Sequence, residues 1–210
     1  MLNYFAVFVL LVLLTGAPDR VIASTNPVLT QVVSTGTMSM DMVDALYQSV
    51  ASPVVAMGTK TAGSGCQTAT GTLGTATQQL YIHNDDRADG GWDVSLDADR
   101  NGLWTSGSNT IDFNDLAGDG CTGGQMTVDP SVATLSKGQC VSCDTDGLTL
   151  GTSASFVQGV TDSITILRGA AVSDDIGDWK LTGVAISQKI PANKAAGSYS
   201  IGMTVTITAI

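Results

Sequence analysis

Residues 198–208, Ser-Tyr-Ser-Ile-Gly-Met-Thr-Val-Thr-Ile-Thr, alternate without a fault. Tyr199, Ile201, Met203, Val205 and Ile207 share one parity. Ser198, Ser200, Gly202, Thr204, Thr206 and Thr208 share the other. A period of two puts these sets on opposite faces of a strand, so the stretch reads as a half-buried strand of an antiparallel sheet. Trp92, Val94 and Leu96 alternate with Asp93, Ser95 and Asp97 in the same way. Shorter candidates lie at 38–43, 53–57, 78–83, 109–113, 125–128, 147–150, 163–168 and 179–187, separated by Gly, Asp, Asn and Ser clusters with turn chemistry. About ten short strands, joined by Gly-rich turns, predict an all-β fold, an antiparallel β-sandwich of Ig-like or jelly-roll-like type. Only Asp41 to Val50, with Met42, Ala45, Leu46 and Ser49, has helical spacing.

Within 179–187 the alternation breaks. Trp179 and Leu181 share a parity, but beyond Gly183 the apolar positions Val184 and Ile186 belong to the other. A straight strand would put the two pairs on opposite faces. A bulge or kink at Thr182–Gly183 is therefore predicted, with all four side chains buried.

Composition narrows the function. The 210 residues carry 9 Lys+Arg against 19 Asp+Glu, a net charge of −10, and every acid is Asp. Nucleic-acid binding needs clustered cations to neutralise phosphate, and no basic stretch occurs. Without Glu, and rich in Thr, Val and Gly, the chain is a poor helix former.

Tyr4 to Leu14 is an apolar run of signal-peptide length, short for a membrane span. Val21-Ile22-Ala23 supplies the residues of a cleavage site, so residues 1–23 read as a signal peptide cut before Ser24. Removal of Asp19 and Arg20 with it leaves the charge unchanged, and no later stretch reads as a transmembrane segment. Residues 24–36 are expected to form a tail or an added edge strand, carrying Val28, Leu29, Val32 and Val33; residues 37–210 form a single domain. Four cysteines, Cys66, Cys121, Cys140 and Cys143, fit export to an oxidising compartment. Cys121 is expected to pair with Cys140 or Cys143, leaving Cys66 for the other. The C-x-x-C at 140–143 lacks the βαβ setting of a thioredoxin-like redox site.

No nucleophile elbow or dinucleotide fingerprint occurs, and the one histidine, His83, reads as an exposed strand-end residue with no triad motif around it. The reading is of a protein that is not an enzyme. Asp97-Ala98-Asp99-Arg100-Asn101-Gly102 matches the first half of an EF-hand loop, whose alternate oxygens wrap Ca²⁺. Its twelfth position is Ser108 instead of Glu, so a neighbouring loop would have to complete the site: Asp112, Asn114, Asp115 and Asp119 lie there. The calcium ligands expected are Asp97, Asp99, Asn101, Asp115 and Asp119. The competing reading makes the same residues turn initiators.

Asp178-Trp179-Lys180-Leu181 contains W-x-L and is followed by Ile190-Pro191-Ala192 and Ala196-Gly197-Ser198-Tyr199 before the Thr-alternating strand. With Gly91-Trp92-Asp93-Val94, this resembles the WxL-type surface proteins of bacteria over residues 66–210. The motif residues are Trp92, Val94, Trp179 and Leu181. The resemblance implies a secreted β-rich protein held non-covalently on the cell wall. The "AGxY" ending is also similar to that of chaperone–usher pilins and spore-coat-type fimbrial domains. The expected partners are a cell-envelope or cell-wall polymer, or copies of the chain itself. The leading expectation is a non-catalytic secreted surface protein. The second is a fibre or pilus subunit in which residues 25–36 join a neighbour's sheet. The third is a glycan-binding module. Large aromatics at strand starts usually fill a core, so Trp92 and Trp179 are expected there, with ligand contact as the other reading.

Overall fold

The computed structural model describes residues 36–85, 90–98, 102–115, 121–171 and 176–210. Those residues form strands β1 (Met38–Val43), β2 (Gln67–Leu73), β3 (Gln79–Asn84), β4 (Trp92–Ala98), β5 (Trp104–Ser106), β6 (Asn109–Ile111) and β7 (Gln125–Asp129). A 3₁₀ turn (Pro130–Val132) precedes β8 (Thr134–Lys137), β9 (Leu148–Leu150), β10 (Ala154–Ser155), β11 (Ser163–Gly169), β12 (Gly177–Thr182), β13 (Val184–Ile190) and β14 (Met203–Ala209). The protein is all-β, and every pairing is antiparallel. Three four-stranded sheets have the orders β1-β3-β12-β8, β10-β7-β13-β2 and β14-β4-β11-β9, and β5-β6 makes a two-stranded hairpin. Sheets pack on sheets around a shared core, as in a β-sandwich.

The first two sheets are joined by one shared bend. β12 runs into β13 through Gly183; β2 runs to β3, and β7 to β8, on either side of it. Leu73 pairs with Val184 and Leu80 with Leu181, while Asp129 pairs with Ala185 and Thr134 with Thr182. Three neighbouring strands thus turn the corner together. Gly183 turns it with φ +84°, where a side chain is disfavoured. Its N–H donates to the Gly74 carbonyl at 2.7 Å, and Gly74 is itself at φ +81°. Trp179, Leu181, Val184 and Ile186 are all buried, as the broken alternation required. The kink is a change of sheet, not a bulge within one sheet, so both parities meet the same core.

That core is dominated by the largest apolar side chains. Trp92 and Trp179 are fully buried with ring centroids 5.6 Å apart, and Phe113 meets Phe156 edge-on at 5.4 Å. Trp92, Val94, Trp179 and Leu181, on which the sequence resemblance rests, are therefore packing residues. Gly169 faces Trp92 so closely that a Cβ there would lie 2.5 Å from the indole. A register shift between Thr165 and Leu167 buries both Ile166 and Leu167.

Some sequence expectations change. The helical spacing over 41–50 forms no helix: β1 continues to Val43, and the Asp44 carboxylate then accepts from the Leu46 and Gln48 amides in a turn, with Leu46 exposed. The strand expected at 53–57 does not form; these residues carry no regular secondary structure. The last strand begins at Met203, because Ser200 is bridged instead to Thr105 of the β5-β6 hairpin. The alternation marks no strand at β2, β5, β8 or β10; β2, Gln-Thr-Ala-Thr-Gly-Thr-Leu, carries no large apolar residue before Leu73. Residues 1–35, which hold the expected signal peptide (1–23) and all but the last residue of the expected 24–36 tail or added strand, lie outside the described residues. Among the described residues no helix is long and apolar enough to cross a membrane.

Candidate functional site

An open groove of about 490 Å³ lies between two irregular segments. One wall is the strap formed by residues 54–63, the other residues 190–199, and Trp104, Ile111 and Gln188 form the floor. The strap is tied to the β2 side: Val54 N–H donates to Gln78 Oε1 at 2.7 Å, Gly58 N–H to the Thr70 carbonyl at 2.7 Å, and Gln67 Nε2 to the Thr61 carbonyl at 2.5 Å. Close approach is allowed by Gly71, where a Cβ would sit 2.5 Å from Met57 Sδ and 3.0 Å from the Ala56 carbonyl. Asn193 N–H donates to the Gly63 carbonyl at 2.9 Å and joins the walls.

The groove's aromatic groups are held in place by hydrogen bonds. Trp104, half-buried, donates Nε1–H to Gln188 Oε1 at 2.9 Å. Gln188 is buried and donates Nε2–H to the Asp112 and Lys189 carbonyls. Tyr199 donates to the Ala195 carbonyl, and Lys194 Nζ to the Thr110 carbonyl at 3.1 Å. The chain is strongly acidic, yet among the described residues no Asp lines this groove and two lysines, Lys60 and Lys194, do. A second, apolar cavity of about 370 Å³ shares Val54, Val55, Met57, Trp104 and Tyr199. Sequence reading passed over Trp104, which stands in a short hairpin with no recognisable motif. It placed Tyr199 on the last strand instead of in a groove wall.

The second polar cluster surrounds His83. Its Nδ1 is hydrogen-bonded to the Asp178 carboxylate, its partner across the β3–β12 register, and its Nε2 lies 3.8 Å from Asp85 Oδ2. The histidine is at a strand end, but it is not a bare surface residue as expected. Burial and the Asp178 charge push the Tyr81 phenol pKa above its ordinary value. The Thr37 backbone N–H, bonded to the Asp85 carboxylate, holds Asp85 below the usual carboxylate range.

Beside this cluster the cysteine pairing departs from expectation. Cys140 pairs with Cys143 inside the C-x-x-C, and Cys66 pairs with Cys121. The entry to β2 brings Cys66 within 5.6 Å of Cys121, Cα to Cα, so Cys121 does not cross to the 140–143 loop. Gly138 N–H donates to the Asp178 carbonyl, Asp178 N–H lies 3.4 Å from Cys140 Sγ, and Trp179 Nε1–H donates to the Asp144 carbonyl at 2.6 Å. The small disulfide loop thus pins the start of β12.

Of the expected calcium ligands, Asp99, Asn101 and Asp119 lie outside the described residues. Asp97 sits on β4 and accepts from Ser95 Oγ at 3.0 Å; Asp115 Oδ2 accepts from Gly123 N–H at 2.7 Å. Asp112 Oδ1 accepts from the Phe113 and Asn114 amides, the turn role of such residues. Among the described residues no group of three or more His, Cys, Asp or Glu is arranged to hold a metal ion.

Comparison with protein-family models, with curated proteins and with solved structures finds no match to this chain.

Proposed function

We propose that this chain is a secreted, non-catalytic β-sandwich protein of the bacterial cell surface, associated with the envelope or cell wall. The observation that carries the reading is the pairing of all four cysteines in two disulfides, a state that persists in oxidising compartments. The apolar run at Tyr4–Leu14 with its Ala23 cleavage position agrees with it.

With Trp92 and Trp179 buried, contact with a wall polymer falls to the groove of Trp104, Tyr199, Lys60 and Lys194. Aromatic faces pack on sugar rings, and lysines favour an acidic polymer. The test is fractionation of a bacterium secreting the protein. The mature chain, starting at Ser24, is expected on purified cell walls and is released by denaturant or salt. Lys60→Gln with Lys194→Gln should weaken retention while leaving the thermal transition in place. A chain found only in the culture fluid, or one retaining its leader in the cytoplasm, overturns the proposal.

A further inference from the structure

The apolar cavity beside the groove reaches into the core: buried Leu73, Leu96, Met126 and Ile186 line it. Strap residues Val54, Val55 and Met57 and the segment 199–201 form much of the rest, all outside the named strands. Of the chain's seven methionines, four line it: Met42, Met57, Met126 and Met203. Thioethers on unbranched stems fill irregular space and adapt to what they touch. A volume of about 370 Å³ is that of a small-ligand site. The lining is poor in partners for a sugar, whose buried hydroxyls need them. Gln78, one of its polar residues, has Oε1 taken by Val54 N–H.

Cavity and groove share Val54, Val55, Met57, Trp104 and Tyr199. The polar atoms of the two aromatics at this junction are engaged, Trp104 Nε1–H with Gln188 and the Tyr199 hydroxyl with the Ala195 carbonyl. Lys60 and Lys194 line the groove, and among the described residues no Asp does. Lys194 gives one N–H to the Thr110 carbonyl, and an ammonium has three. The combined site is apolar in one part and cationic in the other, within a chain of net charge −10.

Taking the groove as the acidic-ligand site proposed above, we infer that groove and cavity together bind a single-chain anionic amphiphile. Its alkyl chain lies among the methionines, and its carboxylate or phosphate head meets Lys60 and Lys194. The chain supplies affinity, because each buried methylene contributes about 0.8 kcal/mol, close to fourfold in binding. The lysines select the head, which meets no described carboxylate in the groove.

The test uses the purified protein and defined amphiphiles below their micelle concentrations, so its result is independent of retention on walls. Trp104 emission and calorimetry follow the titrations. Octanoate, decanoate and laurate should bind in rising order, by about fourfold per methylene. Laurate or dodecyl phosphate should bind about tenfold more tightly than dodecanol, the gain of one charge-assisted contact. A preference for laurate points to a fatty acid and one for dodecyl phosphate to a phosphorylated lipid; either supports the assignment. Lys60→Gln with Lys194→Gln should remove the advantage over dodecanol and leave the dodecanol affinity unchanged. In protein labelled at the methionine methyls, Met42, Met57, Met126 and Met203 should shift on binding, more than Met38 and Met40, which do not line the cavity. Equal binding of laurate, dodecyl phosphate and dodecanol overturns the inference. So do affinities that ignore chain length, and shifts confined to Met38 and Met40. Methionine shifts that follow protein concentration without amphiphile assign the cavity to a second copy and overturn it too. A protein held on walls that binds no amphiphile sinks this inference alone; one that binds laurate but not walls sinks the polymer reading alone.

Discussion

Gly183 and Gly74 make a matched pair at residue scale. Both have a positive φ near +80°, yet they differ in the room left for a side chain. A Cβ on Gly183 would meet nothing nearer than Ala133 Cα at 3.8 Å, whereas on Gly74 it would lie 2.7 Å from the Leu181 carbonyl. Gly183→Ala should therefore cost only backbone strain, about 1–3 kcal/mol. Gly74→Ala should cost more, because a collision with β12 backbone is added. Chemical denaturation of the two variants measures the difference, and equal losses would show that the contact at Gly74 is unimportant. The break in parity made Gly183 legible in the sequence, while nothing around Gly74 marked it. Gln188 was half legible: it shares the core-facing parity of Val184 and Ile186, but its polar side chain speaks for solvent, and only the fold shows it buried to hold Trp104. Gln188→Leu leaves the Trp104 N–H and the Asp112 carbonyl without their partner. A loss of about 1–3 kcal/mol is expected, with a change in the emission of Trp104, the half-buried member of the three tryptophans. Unchanged stability and emission would mean that the amide has no structural part.

At the scale of elements, strands with strong alternation were readable and strands with small residues were not. β1, β4, β7, β11 and the β12–β13 pair stand close to their expected positions because each alternates large apolar with polar residues. β2 fails that test, and its place is fixed by β13 on one side and the strap on the other. The cysteine pairing was equally illegible, since it depends on which loops the topology brings together. Sequence separation still ranks the two disulfides. Cys66–Cys121 spans 55 residues and Cys140–Cys143 spans 3. In the chain-entropy model, loops of those sizes constrain the unfolded state by roughly 4 and about 2 kcal/mol. Replacing Cys66 and Cys121 together by Ala should lower stability about twice as much as replacing Cys140 and Cys143. The reverse order in denaturant titrations would show that the small loop acts mainly through its hold on β12. The start of β1 depends on pH. Asp85 has its pKa lowered in the folded chain, so its tether to Thr37 contributes stability above the unfolded value, near 3.9, and loses it as pH falls through the lower folded value. The Thr37 amide resonance should titrate with a midpoint below 3.9, and Asp85→Asn should abolish that titration; a midpoint at or above 3.9 would contradict the tether.

For the whole molecule, charge is the property that the fold does least to balance. The chain carries −10 overall, and its cations are few: 9 Lys+Arg against 19 acids. Arg168 is committed to Asp93, with its own pKa raised mainly by that hydrogen bond, and Lys194 is turned toward a backbone carbonyl. The folded chain holds its carboxylates closer together than the unfolded chain does, so self-repulsion opposes folding. Added salt shortens the screening length from about 30 Å at 0.01 M to about 10 Å at 0.1 M, below the span of a domain this size. The long-range repulsion then fades, while the contact between Arg168 and Asp93, an exposed pair, contributes little that salt could remove. The melting temperature should rise on going from 0.01 M to 0.1 M NaCl, by about 2–4 °C if the gain is near 1 kcal/mol. Measuring at protein concentrations where sedimentation reports only monomer separates this effect from self-association. A melting temperature that falls with salt would mean that specific ion pairs outweigh the net charge, and the acidic surface would then have to be read as an organised network.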